Sequence, residues 1–172
     1  MSIRRVNHVV LSVTDLETST SFYRQVLGLE LVATLPGQVN WGEMRFFRAP
    51  GASTNHHDLA LIANAKLPLP GRGQPSPPGL FHVAFEVGTI EDLEAVSLRL
   101  VAAGAFMEAI DQPMHLSVYT HDPDGLPIEI IWRVPNCGWT YQDLWRRPLD
   151  WSASKERWGA NLATGSASGE AA

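Results

Sequence analysis

Alternating apolar and polar positions mark two stretches of the chain, and each stretch leads into a helical pattern. The first is NHVVLSV, residues 7–13, and the second is FHVAFEV, residues 81–87. Side chains on a strand point alternately to opposite faces, so each stretch predicts a strand with one apolar face. Apolar residues spaced three and four apart then predict an amphipathic helix after each strand.

The two stretches open two copies of one repeat. Thr14 with Glu17 and Thr89 with Asp92 have the spacing of helix-capping pairs, and a glycine follows each helix. Three further strands are predicted after each helix, which makes each copy β-α-β-β-β. The predicted strands are 30–35, 44–48 and 58–63 in the first copy and 106–109, 117–121 and 128–134 in the second.

The fold class predicted is therefore α+β, with two βαβββ modules. Residues 1–66 form the first module and residues 80–135 the second, and the Pro/Gly-rich stretch 67–79 links them. Residues 136–159 are rich in tryptophan, and residues 160–172 are small and polar and are expected to be a disordered tail. The aromatic surface of 136–159 is too large to stay in water, so it packs on the modules or a dimer partner, or covers a cavity as a lid.

Composition and charge narrow the function classes. The 172 residues carry a net charge of −5 with scattered Lys and Arg, which argues against a nucleic-acid surface. The single cysteine, Cys137, excludes an internal disulfide and any multi-cysteine metal site. No apolar run reaches the about 18 residues of a membrane span, and no signal-peptide pattern is present. We expect a soluble, cytoplasmic protein that does not bind membranes.

Three side chains on the polar strand faces attract attention. His8 and His82 hold the same position in the two repeats, and Glu129 is the lone carboxylate in the strand PIEII. One interpretation is that this face meets solvent and is polar for that reason. The other is that two imidazoles and one carboxylate form a facial triad of metal ligands. The second applies if the two sheets curl toward each other around a shared cavity.

The paired βαβββ modules with NHVVLSV, FHVAFEV and DPDGLPIEI resemble the vicinal oxygen chelate superfamily. The superfamily includes glyoxalase I, fosfomycin and bleomycin resistance proteins, and type I extradiol ring-cleavage dioxygenases, which the chain resembles most. The resemblance covers roughly residues 3–134. It implies one incomplete β-barrel domain around a metal cavity, with His8, His82 and Glu129 as the metal ligands.

The resemblance also implies the activity and its residues. Ala60 aligns with Glu129, where glyoxalase I-like enzymes have a second carboxylate, so the three-ligand site is similar to that of the dioxygenases. His57 corresponds to their acid–base catalyst, and Tyr119 to a tyrosine that hydrogen-bonds the substrate hydroxyl. His115 takes the place of a histidine that usually stands farther upstream. By alternation, His57 shares the face of Leu59 and Leu61 and not that of Ala60. For His57 to reach the site, a bulge or a late strand start is required.

The implied reaction is ring cleavage of a catechol-type aromatic substrate by O₂ at Fe(II), and Mn(II) or another divalent metal also fits the ligand set. A homodimer is expected, since superfamily members are often dimers. Three alternatives stay open at this point, one of them a relative that has a metal site but no oxygen chemistry. The second is a glyoxalase-like isomerase or epimerase, with Asp58 as a further carboxylate. The third is a metal-free binding protein of the antibiotic-resistance type, which would have no use for the three ligands.

Overall fold

The computed structural model describes residues 5–37, 42–63, 80–135 and 145–166. The chain divides into two compact units. The first comprises Met1–Gln74 with Pro123–Gly125, and the second comprises Pro75–Asp122 with Leu126–Ala172. Each unit is a mixed β-sheet with a helix after its first strand, so the α+β class and the βαβββ repeat are confirmed. The linker 67–79 lies outside the described residues, as do Cys137, Trp139 and Tyr141.

The first unit has a four-stranded sheet in the order β1-β4-β3-β2. β1 and β4 are parallel, while β4, β3 and β2 run antiparallel. The helix α1 continues as one π-helical turn, Phe22–Val26, and packs on β4. The elements are β1 Val9–Val13, α1 Leu16–Ser21, β2 Glu30–Leu35, β3 Met44–Arg48 and β4 Leu59–Ala63.

The second unit repeats this order and adds one strand. Its sheet order is β5-β8-β7-β6-β9, again with the first strand parallel to the fourth. The helix α2 packs on β6, β7 and β8. The elements are β5 Val83–Glu86, α2 Ile90–Ala102, β6 Phe106–Asp111, β7 His115–His121, β8 Pro127–Arg133, β9 Arg147–Pro148 and α3 Trp151–Trp158.

The helix starts show one prediction confirmed and one wrong. Thr89 caps α2, since its hydroxyl oxygen accepts from the Asp92 N–H, as expected. Thr14 does not cap α1. Asp15 takes that position and accepts from the Thr18 N–H, because its carboxylate is one residue nearer the helix. Thr14 instead donates its backbone N–H and its hydroxyl to the carboxylate of Asp124.

The apolar strand faces form the cores. Residues on these faces and on the inner sides of the helices are nearly inaccessible to water, and burying them is the main stabilising contribution to each unit. In the first unit they include Val13, Tyr23, Phe47, Leu59 and Leu61, and in the second Ile90, Leu93, Leu100, Leu116, Val118, Ile128, Ile130 and Trp132.

The described part of the C-terminal segment lies against the second unit. β9 pairs with β6, and α3 contacts α2, where Lys155 pairs with Glu94. The indole N–H of the buried Trp132 donates to the Leu162 carbonyl at 3.0 Å. Residues 160–166 also make backbone hydrogen bonds with the second unit, and residues 167–172 lie outside the described residues. The expected disorder of 160–172 stays a prediction. Among the described residues, no helix is long and apolar enough to cross a membrane.

Candidate functional site

In the first unit, the parallel pairing of β1 with β4 brings His8 and His57 together. His8 directly precedes β1, and His57 lies two residues before β4, which begins at Leu59. Since Val9 pairs with Leu59, the segments before both strands run side by side, and the two imidazole centroids are 4.5 Å apart. The late start of β4 resolves the parity problem of His57, which lies outside the strand.

His57 is also in contact with Phe46 and His56. Its ring centroid is 4.9 Å from that of Phe46, and its Nδ1 lies 3.0 Å from Nδ1 of His56. Burial lowers the pKa of His57, and the neighbouring imidazoles of His8 and His56 lower it further because like charges repel. The ring is therefore neutral at neutral pH and has a lone pair with which to accept a proton.

In the second unit, the equivalent strand pair joins His82 and Glu129. His82 directly precedes β5, and Ala84 pairs with Glu129 on the parallel strand β8. Residues two apart share a strand face, so the His82 ring points over Glu129, with Nε2 3.5 Å from Oε2. Glu129 is only 5% exposed, which rules out the solvent-facing interpretation of this residue.

The other carboxylate oxygen of Glu129 accepts hydrogen bonds from its own unit. Oε1 accepts from the Tyr119 hydroxyl at 2.6 Å, from the Ser117 hydroxyl at 2.8 Å and from Nε2 of Gln112 at 3.5 Å. Charge-assisted bonds of this kind are short and strong, and they satisfy a buried carboxylate that would otherwise be costly. The three donors occupy Oε1, and Oε2 faces His82.

Tyr119 and His115 line the same face of β7 as Ser117. Burial raises the pKa of Tyr119, and its hydrogen bond to Glu129 raises it further, so the phenol stays protonated at neutral pH. His115 does not contact Tyr119 through a described hydrogen bond. Its Nδ1 lies 2.8 Å from Nε2 of Gln112 and 3.0 Å from the Ser117 hydroxyl, which connects it to Glu129 through their side chains.

The two units are equivalent position by position, but not in chemistry. Glu129 pairs with Ala84 and with Tyr119 on its two sides, whereas Ala60 pairs with Val10 and with Phe46. The carboxylate and phenol of the second unit thus correspond to a methyl and a phenyl group in the first. The alignment of Ala60 with Glu129 follows from this register, and Ala60 has no ligand atom to offer.

The predicted ligands are divided between the units, with His8 in the first and His82 and Glu129 in the second. Neither unit by itself brings three His, Cys, Asp or Glu side chains together as a metal-binding group, as far as the described residues go. The structure brings His57 to His8 in the first unit. In the second, it brings Tyr119 to Glu129.

The sequence of residues 5–130 matches the family model of the Glyoxalase/Bleomycin resistance protein/Dioxygenase superfamily. The chain belongs to this superfamily. The match spans the first repeat and most of the second, and it includes His8, His57, His82, His115, Tyr119 and Glu129. The superfamily's members bind small molecules, and they bind divalent metal ions, iron and manganese among them.

Individual members of the superfamily show the range of its chemistry. The chain is 33% identical over 134 residues to the iron-dependent extradiol dioxygenase of Rhodococcus jostii, which covers 72% of this chain and 41% of that protein. It is 30% identical over 131 residues to the glutathione transferase FosA of Serratia marcescens, covering 74% of this chain and 80% of that protein. The chain thus spans less than half the length of the Rhodococcus dioxygenase.

A solved structure from the superfamily agrees in fold. The glyoxylase/bleomycin resistance protein/dioxygenase domain from Frankia sp. EAN1pec superposes with a TM-score of 0.65 at 25% identity. The superposition covers 77% of this chain and all of the Frankia chain.

The donor atoms present fit a divalent metal of this superfamily. Two ligand atoms each about 2.1 Å from one ion lie roughly 3 Å apart, close to the separation of His82 Nε2 and Glu129 Oε2. The Nδ1 of His8 lies 2.9 Å from Oδ1 of Asn7, so Nε2 is the ring nitrogen available to a metal.

The sequence interpretation missed four polar residues around these side chains: Asn7, Asn55, Gln112 and Ser117. The alternation of strand faces could have identified Ser117, because it shares a strand face with His115 and Tyr119. Gln112 lies in the loop between β6 and β7, and Asn55 in the loop before β4. The period of a strand gives no information about loop residues.

Proposed function

We propose that the chain is an Fe(II)-dependent extradiol dioxygenase that cleaves the ring of a catechol-type substrate with O₂. The metal ligands are His8, His82 and Glu129. One observation carries the proposal: Glu129 is buried with Oε1 held by three donors and Oε2 directed at His82. A carboxylate held in this way next to an imidazole suits ligation better than exposure to water.

Ala60 distinguishes this proposal from an isomerase or epimerase. A second carboxylate at that position would be a fourth protein ligand, and alanine has none. Two imidazoles and one carboxylate leave open positions for a substrate that binds through two oxygens and for O₂. The 33% identity to an iron-dependent extradiol dioxygenase supports the same activity.

The proposed role of His57 is that of acid–base catalyst. Bound Fe(II) would supply a Lewis acid that acidifies the catechol and a centre that engages O₂. His57 lies beside the ligand His8 and is neutral, so it takes the second phenolic proton and later returns it. Its contact with Phe46 keeps water from one face of the ring.

Tyr119 and His115 orient the substrate. The Tyr119 hydroxyl donates a hydrogen bond to Glu129, and its oxygen remains an acceptor for a substrate hydroxyl. His115 is proposed as the histidine that dioxygenases of the superfamily carry ahead of this tyrosine. Its Nδ1 is engaged by Gln112 and Ser117, which leaves Nε2 for the substrate.

The test is oxygen consumption by protein reconstituted anaerobically with Fe(II), across a panel of catechols, with absorbance recorded for ring-cleavage products. We expect uptake matched by product, and loss of both iron and uptake in Glu129→Ala. His57→Ala should keep iron and lose about 10²–10⁴-fold in turnover. Glu30→Gln, which removes a surface pair with Arg48, is the matched control and should behave as wild type.

Two results would contradict the proposal. Iron-loaded protein that consumes no oxygen with any catechol would favour an isomerase-like activity. Protein that retains no divalent metal would favour a small-molecule binding protein of the resistance type.

A further inference from the structure

A chain of four side chains connects the carboxylate of Asp58 to the imidazole of His8 within the first unit. Nδ2 of Asn55 donates to Oδ1 of Asp58 at 2.9 Å. Oδ1 of Asn55 accepts from Nδ2 of Asn7 at 3.2 Å. Oδ1 of Asn7 lies 2.9 Å from Nδ1 of His8. Two amides thus lie between a charged group and a candidate metal ligand.

The orientation of the Asn55 amide is fixed from both ends. An ionised carboxylate only accepts hydrogen bonds and a guanidinium only donates them. Asp58 must therefore face the NH₂ group of Asn55, and Arg5, whose Nη2 lies 2.6 Å from Asn55, must face its oxygen. The Asn55 NH₂ group also donates to the Asn7 backbone carbonyl at 3.0 Å, which agrees with this orientation.

The ionised state of Asp58 is secured by its other partners. The Ser53 hydroxyl donates to Oδ1 at 2.6 Å, and the Ala49 N–H donates to Oδ2 at 2.9 Å. Burial opposes the charge, but these bonds and that of Asn55 outweigh it and lower the pKa of Asp58. At neutral pH the carboxylate is therefore an acceptor only.

The orientation of the Asn55 amide then fixes the donor and acceptor at each further hydrogen bond, up to His8. With the Asn55 oxygen facing Asn7, the Asn7 NH₂ group must point to Asn55, and its oxygen must point to His8. The Asn7 oxygen can only accept, so Nδ1 of His8 carries the proton and Nε2 carries the lone pair. An isolated neutral imidazole prefers the opposite tautomer, in which Nε2 carries the proton.

We infer that Asp58, Asn55 and Asn7 are positioning residues that hold His8 in the Nδ1–H tautomer and so present Nε2 to the metal. The inference deepens the proposed function and rests on it for the role of His8. The chain of hydrogen bonds from Asp58 to His8 is formed by protein side chains alone. Partners that fix a ligating histidine in this way are typically worth about 10–100-fold in metal affinity.

The tautomer can be measured directly by long-range ¹H–¹⁵N correlation NMR on the metal-free protein, at a pH where the imidazoles are neutral. His8 is assigned among the six histidines by its disappearance in His8→Gln. We expect the Nδ1–H pattern in the wild type. A dominant Nε2–H pattern for His8 in the wild type would overturn the inference.

The isosteric variant Asp58→Asn tests whether the charge of Asp58 sets the donor–acceptor order along Asn55, Asn7 and His8. Its remaining oxygen keeps the Ala49 N–H, which places an NH₂ group opposite Asn55. The new NH₂ group then competes with Arg5 for the Asn55 oxygen. We therefore expect the Nδ1–H preference of His8 to fall to a mixture of both tautomers. An unchanged tautomer would exclude Asp58 as its origin. Asn7→Ala removes the acceptor next to His8 and keeps the hydrogen bonds of Asp58. It should also lose the Nδ1–H preference, and it provides the test if Asp58→Asn does not fold.

Binding of Mn(II) alone, followed by its electron paramagnetic resonance signal, separates the inference from the proposed function. Asn7→Ala and Asp58→Asn should each weaken binding about 10–100-fold, and Asn7→Asp, which retains an acceptor, should restore most of it. Unweakened binding in both variants, with the tautomer altered, would refute the role in metal binding. Unweakened binding in His8→Ala would instead refute the proposed ligand and leave the tautomer result standing.

Discussion

The Tyr119 hydroxyl donates a 2.6 Å hydrogen bond to Oε1 of Glu129, the oxygen on the side away from His82. Tyr119 and Glu129 are direct cross-strand partners, so the contact follows from the register of β7 and β8. Tyr119 therefore does more than face a substrate. It also holds the carboxylate in one rotamer.

Tyr119→Phe removes this donor without changing the shape of the ring. Ser117 still donates to Oε1, so the carboxylate keeps one strong partner and the fold should survive. We expect a loss of about 10-fold in affinity for Mn(II) or Fe(II), and up to about 100-fold when Ser117→Ala is added, because only the 3.5 Å contact with Gln112 then remains on Oε1. Isothermal titration of metal into the purified variants measures both.

Thr120→Val is the matched control for these hydroxyl deletions. Thr120 is buried on the same strand, but it donates to the Ala105 carbonyl on the other face of the sheet. It should lower the free energy of unfolding and leave metal affinity unchanged. Equal affinity losses in Thr120→Val and Tyr119→Phe would mean that Tyr119 acts only through stability.

Ala60→Glu should destabilise the first unit. Ala60 is fully buried, and its cross-strand partner Phe46 offers no hydrogen-bond donor, so the new carboxylate lacks the hydroxyl donor that Tyr119 provides to Glu129. The expected cost is about 3–5 kcal/mol in the free energy of unfolding, measured by urea denaturation. Adding Phe46→Tyr recreates the Glu129–Tyr119 pair and should recover about 1.5–3 kcal/mol. A double-mutant cycle with no coupling energy would show that the two positions are not equivalent to Glu129 and Tyr119.

Asp58 should make stability depend on acid pH. Its pKa is lowered on folding from 3.8, so its contribution is fully present above that value and is lost as pH falls through the lowered folded pKa. The difference in free energy of unfolding between wild type and Asp58→Asn should be constant between about pH 5 and pH 7 and shrink below about pH 4. A difference that persists to the lowest pH would assign the effect to loop geometry instead of charge.

Trp132→Phe should release the segment 160–166. The substitution removes the indole N–H that donates to the Leu162 carbonyl and leaves that carbonyl without this donor. We expect a loss of about 1–3 kcal/mol in unfolding free energy and faster proteolysis of the C-terminus. Trp145→Phe, at a site that is 40% exposed, is the control and should be close to neutral. Unchanged proteolysis in Trp132→Phe would show that other contacts hold the segment.

Strand periodicity was enough to place His8, His82 and Glu129 on the polar strand faces, because alternation decides which face a side chain takes. Their role as metal ligands stays a prediction. Periodicity could not find Asn55, which lies in a loop and meets Asn7 through a contact between residues far apart in sequence. Thr14 illustrates the same limit. Its spacing to Glu17 predicts a cap, but a carboxylate 110 residues away binds it instead. The contact of Trp132 with Leu162 joins residues 30 apart in sequence, and composition alone does not reveal it.

The parallel pairing in each unit has a consequence for folding. His8 meets His57 only when β1 pairs with β4, and His82 meets Glu129 only when β5 pairs with β8. In both modules the first strand can pair with the fourth only after the helix and two strands between them have been synthesised. Such long-range closure is entropically costly and slow. During synthesis, therefore, the histidine contacts of each module can form only after its last strand has left the ribosome.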